Sequence, residues 1–288
     1  MQNQPKNVFP AQHQDSQPGI ESAMTPAPIY DNPAYRPANK LQDKTALITG
    51  GDSGIGRAVA LAYAKEGANV SIVYLNEDND ADETIALIKA IGGNAIKYRA
   101  DLRKENEAAN AVKFTADSFS GLDILVNNAG VQYPQNSISD ISREQLTNTF
   151  EANIYSYFFT TKAALPHLEG KNGSTIINTA SVVAFKGSPR LIDYSATKGA
   201  IVSFTRSMAT SLVKQGIRVN AVAPGPVWTP LIVSSFSAEE AAVFGSDSPM
   251  GRAAQPYELA PLYVFLANDD SSNITGQVFH VNSGEIVD

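Results

Sequence analysis

Tyr194 and Lys198 stand four residues apart in the run DYSATKGAIVSF, residues 193–204. On a helix that spacing is about one turn, so phenol and ammonium project from one face. A free phenol, with a pKa of about 10, is a poor base at neutral pH. Bringing it near 7 takes roughly 4 kcal/mol of preferential stabilisation of the phenolate. A neighbouring ammonium in a partly desolvated cleft can supply that through its charge. The pair is either a surface contact or a proton-transfer device, and the rest of the chain decides which.

A second constellation is TGGDSGIGRA, residues 49–58. Gly50, Gly54 and Gly56 remove side chains where backbone must approach a ligand or where a helix must pack on a strand. Free N–H groups at the start of the following helix then face an anion. Thr49 and Ser53 add hydroxyls for the loop or a pyrophosphate. The spacing is Gly-x-x-x-Gly-x-Gly, and glycines collect in turns anyway. The placement between a strand and a helix is what turns this cluster into a nucleotide-binding expectation.

These groups need elements to hold them. KTALIT (44–49), NVSIVY (69–74), NAIKYRAD (94–101), LDILVNNAG (122–130), STIINTAS (174–181), GIRVNAVAPG (216–225) and QVFHVNSG (277–284) read as strands. Nearly continuous apolarity is the mark of strands covered on both faces. Helical patterns alternate with them over 54–67, 80–92, up to Phe119, 142–168 and from Tyr194 onward. Alternation of this kind predicts an α/β fold: a doubly wound, Rossmann-like parallel sheet of about seven strands in a single domain, residues 41–288.

With the elements in place, the motifs can be taken together. Thr-Gly-x-x-x-Gly-Ile-Gly, then NNAG at 127–130, Asn153, Ser181 and Tyr194-x-x-x-Lys198 resemble the short-chain dehydrogenase/reductase family in order and spacing. PGPVWT (224–229) follows the sixth strand, as it does in that family, and the likeness covers roughly residues 41–288. The resemblance implies an oxidoreductase acting on CH–OH groups, with Tyr194 as general acid/base. Lys198 would lower its pKa and bond the nicotinamide ribose, and Ser181 would hold the substrate oxygen. Asn153 would hold a water that links Lys198 to solvent. The glycine loop would bind cofactor through Gly50, Ser53, Gly54, Ile55 and Gly56. Asp101 and Leu102 would flank the adenine, while Asn128, Ala129 and Gly130 line the adenosine ribose side. Pro224, Gly225, Val227 and Thr229 would lie against the nicotinamide, and Asn127 is read as a brace between strands. Two other readings stay open: a nucleotide-binding sensor or scaffold that lost turnover, and epimerisation or dehydration on the same fold. An intact Asn153, Ser181, Tyr194 and Lys198 favours catalysis.

The choice between NAD and NADP is made at the end of the second strand, where an acid bonds the ribose hydroxyls or an arginine takes the extra phosphate. This chain has Tyr74 and Leu75 there, which departs from both patterns. Glu77 and Asp78 follow, Asp52 sits in the glycine loop, and Arg57 is read as a surface residue of the helix, so NAD is favoured. Residues 230–256 resemble the family's mobile substrate lid. Trp228, Leu231, Phe236 and Phe244 make it apolar, with Gln132, Tyr133 and Phe185 on the opposite wall. A small uncharged alcohol, aldehyde or ketone is the expected substrate. Apolar residues on more than one face of the 142–168 and Tyr194 helices suggest subunit packing, and the resemblance implies a homotetramer.

Composition excludes other classes. With no Cys, the chain has no disulfide, thiolate catalyst or cysteine-bound metal. Its three His are far apart; His167 and His280 are read as structural, and no metal is expected. A net charge of −7 without a basic block leaves no footprint for nucleic acid or anionic membrane. No stretch approaches the ~18 apolar residues of a membrane helix, and a cytoplasmic location is expected. Residues 1–40 hold seven of the sixteen prolines. Such a segment forms neither helix nor central strand, so it is either a disordered tail or a strap. Phe9, Ile20, Met24, Ile29, Tyr30 and Tyr35 are its candidate anchors. The leader resembles that of a bacterial subgroup described as general stress proteins.

Overall fold

The computed structural model describes residues 8–171 and 173–286. Seven strands among them form one parallel sheet. In chain order they are β1 (Thr45–Thr49), β2 (Asn69–Tyr74), β3 (Asn94–Arg99), β4 (Ile124–Asn127), β5 (Thr175–Thr179), β6 (Arg218–Pro224) and β7 (Val278–Val281). Helices intervene as α1 (Gly54–Lys65), α2 (Asp78–Ala90), α3 (Glu105–Phe119), α4 (Arg143–Phe150), α5 (Ser156–Leu168), α6 (Val183–Lys186), α7 (Ile192–Leu212), α8 (Pro230–Val233), α9 (Ala238–Ala242) and α10 (Ala260–Ala267).

The spatial order is β3-β2-β1-β4-β5-β6-β7, the expected Rossmann-like winding. β1 and β4 are neighbours, with Ile48 opposite Val126. The winding reverses between them, and a crevice opens beyond their C-terminal ends. Every residue of β1, β5 and β6 is buried. Side chains alternate between faces: Ile48 packs into a cluster with α1, α2 and α10, and Leu47 into one with α3, α5 and α7. Burying both faces is what makes the strands read as continuous apolar runs.

The sequence pattern over 142–168 is one helix, but the structure divides it. A π turn at Glu151–Tyr155 joins α4 to α5, and its buried Asn153 is the reason that this turn matters. Such wide turns gather at functional positions.

The proline-rich arm lies along the body. Phe9 stacks on Trp228 with ring centroids 3.7 Å apart, and the indole N–H donates to Pro26 O at 2.9 Å. Met24 is buried, the Tyr30 ring lies 5.3 Å from the Arg57 guanidinium, and the Tyr35 hydroxyl donates to Glu66. Ile20 and Ile29 do not anchor it: both are exposed.

Candidate active site

Each loop at the C-terminal edge of the sheet contributes to one cavity of about 610 Å³, a size that suits a small organic ligand. The glycine loop after β1 forms one end. Gly50 has φ +61° and Gly54 φ +50°, a region in which a side chain is strained. A Cβ on Gly54 would meet the Thr229 side chain at 3.1 Å, so the glycine keeps the loop open beside α8. Gly56 differs from expectation. It does not face the cavity: a Cβ there would fall 1.8 Å from the Gly50 carbonyl oxygen, so it serves the packing of α1 on the loop.

Asn128 ties this loop to the neighbouring strands. Its side-chain amide donates to Thr49 O and Gly50 O, both at 3.1 Å, and its oxygen accepts from Thr179 Oγ1 at 3.3 Å. Asn127 is a brace, as expected, donating to Asn178 Oδ1 at 3.0 Å. Tyr74, Leu75, Asp101, Leu102, Ala129 and Gly130 line the cavity on the β2–β4 side. Pro224, Gly225, Val227 and Thr229 line it beyond β6.

α7 presents the tyrosine and lysine. Its buried stripe runs Tyr194, Lys198, Ile201, Thr205, Ala209, Leu212, the three-to-four spacing of a packed helix face. Tyr194 and Lys198 are buried and both line the cavity, with Ser181 from the end of β5 beside them. Burial holds Tyr194 above its ordinary value, and the nearby Ser181 hydroxyl, which favours the phenolate, offsets only part of this. Burial also brings Lys198 down to about 7. Lys198 Nζ lies 5.4 Å from the Tyr194 ring centroid and donates to Thr179 O at 2.8 Å. Desolvation therefore opposes, in the protein alone, the acid phenol expected from sequence.

Asn153 stands beneath these groups and does not line the cavity. Its two amide hydrogens go to Val131 O (2.9 Å) and Thr197 Oγ1 (3.1 Å), and its oxygen accepts from Val131 N–H at 2.8 Å. A Cβ on Gly130 would lie 3.2 Å from Asn153 Oδ1 and 3.7 Å from Lys198 Nζ. The side chain thus braces the loop after β4. A relay water would have to use its remaining lone pair or its main-chain carbonyl.

The end of the cavity beside the glycine loop and β2 carries two acids. Asp52 and Glu77 are both buried and both line the wall. Glu77 Oε2 accepts from the N–H groups of Leu75 and Asn76, whereas Oε1 has no hydrogen-bond partner. Burial, and then the nearby Glu77 charge, push Asp52 up to about 7. Asp78 is turned away, accepting from the Tyr74 hydroxyl at 2.6 Å. Arg57 is not a surface residue: it is 1% exposed and bonds Asp52 O, Thr84, Glu83 and Asp80 O, each at 2.9 Å. It has no arm free for a phosphate.

On the other side, Leu231, Phe236, Phe244, Gln132 and Tyr133 line the cavity as expected. Trp228 and Phe185 do not. Trp228 is fully buried beneath Phe9, and Phe185 packs edge-on to His280 with centroids 4.6 Å apart.

The donor set fits a nicotinamide dinucleotide. A glycine cradle faces the start of the 12-residue helix α1, the buried Glu77 carboxylate, one oxygen of which has no hydrogen-bond partner, is part of the wall, and a Ser–Tyr–Lys cluster occupies the far wall. Comparison with known proteins agrees. A family model described as Enoyl-(Acyl carrier protein) reductase matches residues 50–285. General stress protein 39 of Bacillus subtilis (strain 168) is 55% identical, the match covering 100% of this chain and 99% of that one. Glucose and ribitol dehydrogenase of Daucus carota is 52% identical over 97% of both chains. A crystal structure of a short chain dehydrogenase from Burkholderia cenocepacia J2315 in complex with NADP superposes with a TM-score of 0.79 at 32% identity, covering 85% of this chain and 98% of that one. The chain belongs to the short-chain dehydrogenase/reductase family.

Proposed function

We propose that this oxidoreductase moves a hydride between a nicotinamide and a small uncharged alcohol, aldehyde or ketone, with Tyr194 as its general acid/base. The supporting observation is the convergence of Tyr194, Ser181 and Lys198 on the cavity whose opposite end is the glycine loop. When bound, the dinucleotide supplies or accepts the hydride. Gly50, Ser53 and Ile55 would hold its phosphates, the Gly54 N–H being taken by Glu21, and Asp52 and Glu77 would hold its adenosine ribose. In the reducing direction the phenol of Tyr194 gives its proton to the carbonyl oxygen, and in the oxidising direction the phenolate takes it back. The Ser181 hydroxyl orients that oxygen and donates to it as negative charge develops. Lys198, protonated, holds the phenolate; Asn153 keeps the floor under Lys198 rigid.

Leu231, Phe236 and Phe244 exclude water from the reacting carbon. NAD is favoured over NADP because Asp52 and Glu77 face the ribose position while Arg57 is fully engaged. The Burkholderia neighbour is in complex with NADP. No helix among the described residues is long and apolar enough to cross a membrane. Exposed Tyr155 and Phe158 on the α5 side fit a homotetramer paired through α5 and α7.

The test is a panel of alcohols and carbonyls with NAD(H) and NADP(H), read at the reduced-nicotinamide absorbance. Turnover by wild type and none by Tyr194→Phe is the expected result. Turnover retained in Tyr194→Phe would defeat the assignment.

A further inference from the structure

The arm that precedes the family-matched region reaches into the cavity itself. Gln17, Pro18 and Gly19 form part of the wall. Gln17 pairs with the backbone of Gln132 in both directions, its amide donating to Gln132 O at 2.6 Å and its oxygen accepting from Gln132 N–H at 3.2 Å. Gly19 lies so close to α8 that a Cβ would come within 2.6 Å of Pro230 O. Gln14 N–H donates to Val233 O at 2.8 Å.

Glu21 then crosses to the glycine loop. One carboxylate oxygen accepts from Gly54 N–H at 2.6 Å, and the other lies 2.7 Å from Arg57 Nη1. Both side chains are 2% exposed or less. Gly54 opens α1, where an N–H has no partner within the helix and a negative charge is favoured. Arg57 holds Asp52 O on the other side of the loop. Glu21 N–H is itself fixed by Asp80 Oδ2 at 2.6 Å. The loop from Asp52 to Gly54 is therefore gripped at both ends by a pair that exists only because the arm is docked. Glycines at 50, 51 and 54 give this loop little conformational preference of its own.

We propose that the arm completes the ligand cleft: Glu21 is a positioning residue that sets the glycine loop for the dinucleotide, and Gln17–Gly19 form a wall against which the substrate is held. The proposal rests on the oxidoreductase reading of this cavity. Burial pushes the Glu21 carboxyl up to about 7 against the pull of Arg57.

The experiment uses full-length Glu21→Ala, Glu21→Gln and Gln17→Ala. Dissociation constants for NADH and NADPH are read by nicotinamide fluorescence, and KM and kcat on an active carbonyl substrate. Trp228, the single tryptophan, stacks on Phe9, so its emission reports whether the arm stays docked. Glu21→Ala is expected to weaken the dinucleotide that wild type binds by about tenfold, the scale of one charge-assisted hydrogen bond. Glu21→Gln should recover part of this, because its amide oxygen still accepts from Gly54. Gln17→Ala should raise KM with little change in kcat or cofactor affinity. Wild-type affinity in both Glu21 variants, or an unchanged KM in Gln17→Ala, overturns the proposal. If Glu21→Ala does not fold, the other two variants decide it. Failure of wild type to bind either dinucleotide would sink the cofactor reading as well, and so is distinguishable.

Discussion

Lys198 Nζ and the Tyr194 phenol share one buried face of α7, yet the ammonium spends a hydrogen bond on Thr179 O, 2.8 Å away, rather than on the phenol. The charge acts on the ring from 5.4 Å, with no hydrogen bond between the two side chains required. Removing the phenolic oxygen should therefore leave the lysine where it is. Tyr194→Phe is expected to cut kcat by about 10²–10⁴, the usual contribution of a positioned acid/base. Fluorescence titration should find cofactor affinity nearly unchanged.

The same burial predicts a trade between stability and turnover at Lys198. An ordinary lysine keeps its proton to about 10.4, whereas Lys198 releases it near 7. Between those values the unfolded chain binds a proton that the folded chain lacks, so stability rises with pH across the window. Lys198→Met removes that dependence. It should abolish turnover and raise the melting temperature at pH 7 by a few degrees, at about 2–4 °C per kcal/mol for a domain this size. The gain should shrink toward pH 10. A variant less stable than wild type at pH 7 would contradict the assigned cost of burying this amine.

Local patterns made much of this legible. The strand runs, the glycine loop and the Tyr194–Lys198 spacing depend on residues near one another in the chain, and each lies where the pattern places it. The contacts of Glu21, Gln17 and Arg57 are not legible in the sequence. Arg57 looks like any charged residue on a helix until Glu21, 36 positions earlier, is brought beside it by the arm. Trp228 reads as a lid residue for the same reason, since the ring that covers it, Phe9, comes from the far end of the chain. The π turn at Asn153 also escapes a pattern search, because one extra residue in a long helix hardly disturbs its period.

Cofactor choice should respond to Glu77. Glu77 stands in the cavity wall with Asp52, its Oε1 has no hydrogen-bond partner, and the neighbouring Arg57 is fully engaged. Glu77→Gln keeps an acceptor for the backbone of Leu75 and Asn76 but removes a charge. The ratio of NADH to NADPH affinity is expected to fall by about tenfold, the scale of a single charge-assisted contact. Because Glu77 raises the Asp52 carboxyl, the variant should also lower that group toward the ordinary range. A wild-type ratio that rises with pH through about 7, and a flatter one in the variant, is the accompanying signature. Equal ratios in both proteins would place cofactor choice elsewhere.

The outer face of α5 carries the last prediction. Phe158 is 52% exposed and packs against Phe204 of α7 with centroids 4.5 Å apart, while Tyr155 beside it is 49% exposed. Two neighbouring aromatic rings left open to water on the α5 side are costly unless another surface covers them. None of these side chains lines the cavity. A charge placed there should break self-association without touching the chemistry. Phe158→Asp is expected to lower the sedimenting mass by at least one dissociation step, at micromolar protein, while cofactor affinity is kept. If wild type sediments as a monomer, the subunit-packing reading of this face is wrong, and the exposed rings must be covered by some other partner or by none.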